Sequence, residues 1–186
     1  MADKRTDMKG REIVVGVSGS IAAYKAADVV SKLVQGGAGV TVVMTRAATQ
    51  FVGPLTFQTL TRRRVFTDQF DVEAISDPTH ISLTDKAELV LLAPATADLL
   101  AKAAHGIADE MLTALLLAVD CPVLVAPAMN ERMWNHPATQ DNVKTLRKRG
   151  YRFVDPGKGF LACGHYAKGR LAEPADILEA VKAALP

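Results

Sequence analysis

The sequence predicts an α/β fold: a single-domain, doubly wound parallel sheet with helices on both faces. Short apolar, β-branched runs recur, each followed by a small-residue turn and then a segment with apolar positions at helical spacing. That is the rhythm of successive strand–helix–strand units. The strand runs are apolar throughout rather than alternating, as strands covered on both faces read. The length of 186 residues, 49% of them hydrophobic, suits one domain with a substantial core.

In chain order, Met1 to Glu12 is polar and charged and is expected to be a flexible tail, leaving 13–186 as the folded domain. Ile13-Val-Val-Gly-Val17 reads as the first strand and Ser18-Gly19-Ser20 as its turn. The helix after it has Ile21, Ala22, Ala26, Val29, Val30, Leu33 and Val34 on one face and stops at Gly36-Gly37. A strand, a Gly/Ser turn and a helix start outline a phosphate site, because the backbone N–H groups and the helix dipole favour an anion there. The turn is neither GxGxxG nor a Walker loop, so it also fits a plain connection.

Val40 to Thr45 reads as the second strand, with Thr45-Arg46-Ala47 and Phe51 beyond its carboxyl end. Leu55 to Leu60 reads as a short helix, Arg62-Arg-Arg64 as a solvated basic run, and Val65-Phe66 as a third strand. Phe70 to Thr79 is turn-like. His80 follows it, either a structural hydrogen-bonder or an acid–base group near neutrality. Ala87 to Ala93 is a fourth strand ending in Pro94-Ala95-Thr96-Ala97-Asp98, where Asp98 could cap the helix Leu99–His105. Met111 to Val119 is a very apolar helix.

Pro122 to Trp134 is the central stretch. Val123 to Ala126 is a short buried strand, and Asn130, Met133 and the single tryptophan lie just past its carboxyl end. Ligands of open α/β sheets sit at that end. Asn130 is therefore either a polar ligand group or a helix cap, with Met133 and Trp134 as core. Pro137 to Arg149 is an amphipathic helix, Tyr151 to Val154 a last strand, Asp155 to Gly159 a flexible loop by composition, and the segment after Pro174 a closing helix.

Lys plus Arg is 22 and Asp plus Glu is 20, so a net charge of +2 carries no electrostatic footprint for nucleic acid. No apolar run is long enough to span a membrane. Two cysteines, Cys121 and Cys163, make neither a disulfide framework nor a metal spacing, and a reducing, cytoplasmic setting is expected.

Five segments in order carry a resemblance: Gly16-Val-Ser-Gly-Ser-Ile-Ala-Ala-Tyr-Lys25, His80-Ile-Ser-Leu83, Ala93-Pro-Ala-Thr-Ala97, Ala126-Pro-Ala-Met-Asn-Glu-Arg-Met-Trp134 and Leu161-Ala-Cys-Gly164. From about residue 11 onward the chain resembles the flavin-containing cysteine decarboxylases, among them the phosphopantothenoylcysteine decarboxylases of coenzyme A synthesis. The resemblance implies a Rossmann- or flavodoxin-like flavoprotein domain, FMN as cofactor, and assembly as a homo-oligomer, a trimer or dodecamer. It implies that Gly19, Ser20 and Ile21 hold the FMN phosphate region and that Thr45, Arg46, Ala47 and Phe51 line the flavin's second side. Ala95, Thr96, Ala97 and Asp98 would close over it, and Ala128 would touch it. His80 would be the catalytic base, Asn130 would grip the substrate carboxylate and Cys163 would donate a proton. Phe160, Ala162 and Leu171 would line the substrate site.

The implied reaction is decarboxylation of 4′-phosphopantothenoylcysteine to 4′-phosphopantetheine without net redox change. Three departures from the family stand out: Asp98 replaces an asparagine, His165 an acidic residue, and Leu171 a methionine. The departures at Asp98 and His165 leave open a flavin-binding regulatory protein, and the shared fold leaves open a flavin prenyltransferase, which would not call for Asn130 or the Cys163 loop. Many bacterial relatives carry a synthetase domain, for which the chain ending at Pro186 has no room. That activity is expected in a separate protein or in the rest of a longer chain.

Overall fold

A computed structural model describes residues 8–70, 79–160, 164 and 166–185, with the backbone alone at 79 and 80. Six strands form one parallel sheet: β1 (Glu12–Val17), β2 (Gly39–Met44), β3 (Val65–Phe66), β4 (Leu89–Ala95), β5 (Val123–Pro127) and β6 (Arg152–Phe153). Their order is β3-β2-β1-β4-β5-β6, so the expected doubly wound sheet is present. The helices are α1 (Ala23–Gln35), α2 (Pro54–Thr61), α3 (Thr79–Lys86), α4 (Ala97–His105), α5 (Met111–Ala118), α6 (Glu131–Trp134), α7 (Pro137–Lys148) and α8 (Pro174–Ala184).

Alternation along the strands splits the core in two. Ile13, Val15 and Val17 of β1, with Leu89, Leu91 and Ala93 of β4, pack with Val29, Leu33 and Ile177 from α1 and α8. Val14, Val90 and Leu92 face the other way, onto Leu99, Leu112 and Leu146 from α4, α5 and α7. Both faces of the sheet are thus covered, which is why the central strand runs are almost wholly apolar. Packing also reaches ahead of β1: Met8 is buried, and its N–H donates to Gly36 O at 3.3 Å.

Three local readings are corrected. The segment Asp155–Gly159 is not a free loop. Gly157–Phe160 is a strand, β7, paired antiparallel with β8 (Tyr166–Arg170) in a separate two-stranded sheet. Its glycines read as a turn locally, and the pairing partner that extends them comes later in the chain. Next, α4 is capped by Thr96, whose side chain accepts the Leu99 N–H at 3.3 Å, and not by Asp98, which stands inside the first turn. Finally, the fourth strand runs on through Pro94 to Ala95, with a register shift between Leu92 and Ala95 against β5. Pro94 lacks an N–H, but its carbonyl accepts the Ser18 N–H at 3.2 Å, so the strand loses little by containing it.

Candidate active site

The strand order reverses between β1 and β4, and ligands of such sheets occupy the crevice opened there at the carboxyl ends. Ser18, buried at the end of β1, ties the two sides together. Its Oγ donates to Pro94 O at 2.7 Å and accepts the Thr96 N–H at 2.9 Å. The Ala128 N–H donates to Ala95 O at 3.0 Å. Thr45, also buried, accepts the Ala48 N–H at 3.1 Å and so shapes the turn beyond β2. Gly19 lies so close to that turn that a Cβ on it would stand 2.5 Å from Ala47 Cβ. The four loops expected to surround a cofactor are therefore neighbours, and their small residues let the backbones approach. Phe51 follows the 3-10 turn Ala48–Gln50 and is half exposed.

Two hollows flank this junction. One, of about 490 Å³, is walled by Ser20, Ile21 and Lys25 on one side, by Met129 and Asn130 on another, and by Phe160 and Leu171 from the β7–β8 unit. Asn130 is a helix cap, one of its two expected roles, and it also stands at a cavity wall. Its Oδ1 accepts the Arg132 N–H at 2.9 Å as the cap of α6, and the residue also lines the hollow. The cap engages the amide oxygen, and the NH2 group is the amide's donor end. The β7–β8 unit is fastened here, because the Met129 N–H donates to Gly169 O at 2.9 Å. Leu171 is buried in the hollow's wall, while Phe160 is exposed at its rim and packs edge-on to Tyr166 at 5.6 Å. Trp134 is core, with Lys168 Nζ 5.9 Å from its ring, but Met133 is half exposed rather than core.

The second hollow, about 920 Å³, is a polar trough lined by Arg46, Ala47, Asp98, Lys102 and Glu110. Lys102 Nζ stands 3.4 Å from Asp98, 3.0 Å from Asp109 and 3.4 Å from Glu110. Burial pulls the Lys102 ammonium down, but the three carboxylates outweigh it and hold its pKa above the usual lysine value. Its hydrogen bond in turn holds Asp109 below the usual carboxylate value. Asp98 is mostly exposed in this trough and engaged with Lys102. Glu110 accepts the Arg46 N–H at 3.2 Å.

Of the expected reaction residues, only Asn130 has a described side chain. His80 is the second residue of α3, with its side chain outside the described part. Among the described residues no member of α3 lines the smaller hollow. Cys163, Ala162 and His165 lie outside the described residues. Cys121 precedes β5 at its amino end, opposite the site, where burial pushes its thiol pKa up.

Sequence reasoning missed Lys25. Its Nζ is buried and has no hydrogen-bond partner among the described residues. The signal was available: Lys25 falls three residues after Ala22 and four before Val29, on the apolar side of α1. A lysine there requires a reason.

Several known proteins are similar to this chain. The chain is 50% identical over 172 residues to the coenzyme A biosynthesis bifunctional protein CoaBC of Bacillus subtilis, covering 92% of this chain and 42% of that protein. It is 51% identical over 168 residues to CoaBC of Mycobacterium tuberculosis, covering 90% of this chain and 40% of that one. The chain thus spans less than half the length of these curated relatives. Among solved structures, a PPC decarboxylase mutant complexed with pantothenoylaminoethenethiol superposes with a TM-score of 0.86 at 33% identity, over 93% of this chain and 97% of the other. The FMN-dependent cysteine decarboxylase SpaF gives 0.82 at 37% identity, over 94% and 95%. The description Flavoprotein fits residues 1–185, and the chain belongs to the Flavoprotein family.

Proposed function

We propose that this chain is an FMN-dependent decarboxylase that converts 4′-phosphopantothenoylcysteine to 4′-phosphopantetheine in coenzyme A biosynthesis. One observation carries the reading. The hollow beside the sheet's switch point brings Asn130 together with Phe160 and Leu171, which bracket Cys163 in the chain. Asn130 offers a neutral amide suited to a carboxylate, and the two wall residues flank in sequence the thiol that the chemistry requires. The relatives named for coenzyme A biosynthesis and PPC decarboxylase support it.

The residues fit FMN. The close approach of Gly19 to Ala47 makes a tight turn. Exposed Ile21 and Phe51 offer apolar cover for a planar ring. Gly19, Ser20 and Ile21 would hold the phosphate side, Thr45, Arg46, Ala47 and Phe51 the second side, and Ala95 to Asp98 with Ala128 the third. Asp98, engaged with Lys102, would serve by its backbone. When bound, FMN supplies a two-electron sink that takes a pair from the substrate's thiol-bearing carbon and returns it after CO2 has left.

The chain's own groups do the rest. The His80 imidazole takes a proton from the substrate as the general base. Asn130 donates N–H to the carboxylate, orienting it without adding a charge that would oppose its departure as neutral CO2. Cys163 returns a proton to carbon. By the family resemblance, His80 would act on a neighbouring subunit's site. Exposed Ile21, Tyr24 and Phe160 at the same end supply apolar surface for that contact. We therefore include homotrimeric assembly in the proposal, and a cytoplasmic location. Among the described residues no helix is long and apolar enough to cross a membrane.

The test is CO2 release from 4′-phosphopantothenoylcysteine by FMN-loaded protein. Turnover by the wild type is expected, with Cys163→Ser releasing CO2 but yielding no phosphopantetheine. Flavin-loaded protein without turnover refutes the reading, and full product from Cys163→Ser refutes the donor role.

A further inference from the structure

Lys25 is a buried cation with no task in the chemistry above. Its Nζ is sealed from solvent and makes no hydrogen bond among the described residues. An ammonium held in that way is costly to fold around, and the cost is recovered only when an anion arrives. The hollow it faces has a one-sided charge. Among its described lining, the charged residues are Lys25 and Arg170, and no carboxylate is present. Arg170 is engaged elsewhere, its Nη2 lying 3.0 Å from Glu173 Oε1. Asn130, across the same hollow, adds a neutral amide. The site is thus built for an oxyanion, with one undischarged positive charge at its wall.

We propose that Lys25 determines specificity: its ammonium receives an acidic group, carboxylate or phosphate, of the substrate that fills this hollow. The inference rests on the function proposed above. Lys25 lies on α1 directly beyond Ser20 and Ile21, but its hollow is closed by Asn130 and the β7–β8 unit, the substrate side of the junction. That placement favours the substrate over the cofactor as the source of the anion. A ligand lacking the acidic group would leave the ammonium buried and unanswered, and the site would reject it.

The experiment is calorimetric titration of FMN-loaded wild type and Lys25→Met. Methionine keeps the length of the side chain and removes the charge. Three ligands distinguish the sources: 4′-phosphopantothenoylcysteine, pantothenoylcysteine, which lacks the phosphate, and 4′-phosphopantetheine, which lacks the carboxylate. The variant is expected to bind the full substrate about 10- to 100-fold more weakly, as the loss of a charge-assisted hydrogen bond implies. The analogue missing the group that Lys25 meets binds wild type and variant alike, which identifies that group. Equal affinity of both proteins for the full substrate overturns the inference, as does a loss confined to FMN affinity. If FMN-loaded wild type fails to bind the substrate at all, the proposed function falls and this inference with it. Should Lys25→Met not fold, Lys25→Gln carries the same comparison.

Discussion

Replacing Gly169 by alanine tests how the substrate hollow is held together. Gly169 has φ +137, a conformation that side-chain-bearing residues rarely adopt. A Cβ there would also press into the Met129 carbonyl oxygen and stand 3.3 Å from Glu131 N. Relaxing either contact moves Gly169 O away from the Met129 N–H that it accepts at 2.9 Å. The backbone strain is of the order of 1–3 kcal/mol, and the lost hydrogen bond adds about 1 kcal/mol. Together they predict about 2–4 kcal/mol of destabilisation. For a domain of this size each kcal/mol lowers Tm by about 2–4 °C, so thermal unfolding should move down by about 4–16 °C. The β7–β8 unit would sit less firmly against Asn130. Substrate KM should therefore rise while FMN affinity, assigned in the proposed function to the loops at Gly19, Ala47 and Ala95, stays unchanged. A Tm within about 1 °C of wild type together with an unchanged KM would refute the claim that this contact positions the hollow.

Two further outcomes follow from the geometry. Ser18→Ala removes both bonds of a buried hydroxyl; Pro94 O keeps the Ser18 N–H, but the Thr96 N–H loses its partner. Urea unfolding should show a loss of about 1–3 kcal/mol with an unchanged m-value, and an unshifted midpoint would mean the bridge is dispensable. For pH, the side-chain hydrogen bond from Arg63 holds the Glu12 carboxyl below the ordinary glutamate value. A depressed folded-state pKa gives stability that is present above the unfolded pKa and lost as pH falls through the folded one. Glu12→Gln should therefore flatten the acid limb of the stability profile and cost little at neutral pH, where a partly exposed pair contributes modestly. Parallel acid limbs for the two proteins would contradict this assignment.

Much of the fold and part of the site are legible in the amino-acid sequence. Ile13–Val17, Val40–Thr45, Val65–Phe66 and Val123–Ala126 announce themselves as strands because a sheet covered on both faces demands apolar residues at every position, a local property. The motif around Asn130 and the small residues at 19, 47, 95 and 128 are likewise readable, since tight turns at strand ends need particular residue types. Pairings between distant segments are not. Gly157–Phe160 looks like a loop until Tyr166–Arg170 supplies its hydrogen bonds. Asp98 looks like a cap until Thr96 takes that place and Lys102 takes the carboxylate. Lys25 stands out in sequence only by lying on the apolar side of its helix; that it shares a hollow with Met129, Asn130 and Leu171 is visible only in three dimensions. Residue type and spacing by themselves determined the doubly wound sheet. Only the tertiary structure decided which charges are buried without partners and which loops share a wall, because desolvation and hydrogen bonding depend on neighbours in space, and those neighbours come from all along the chain.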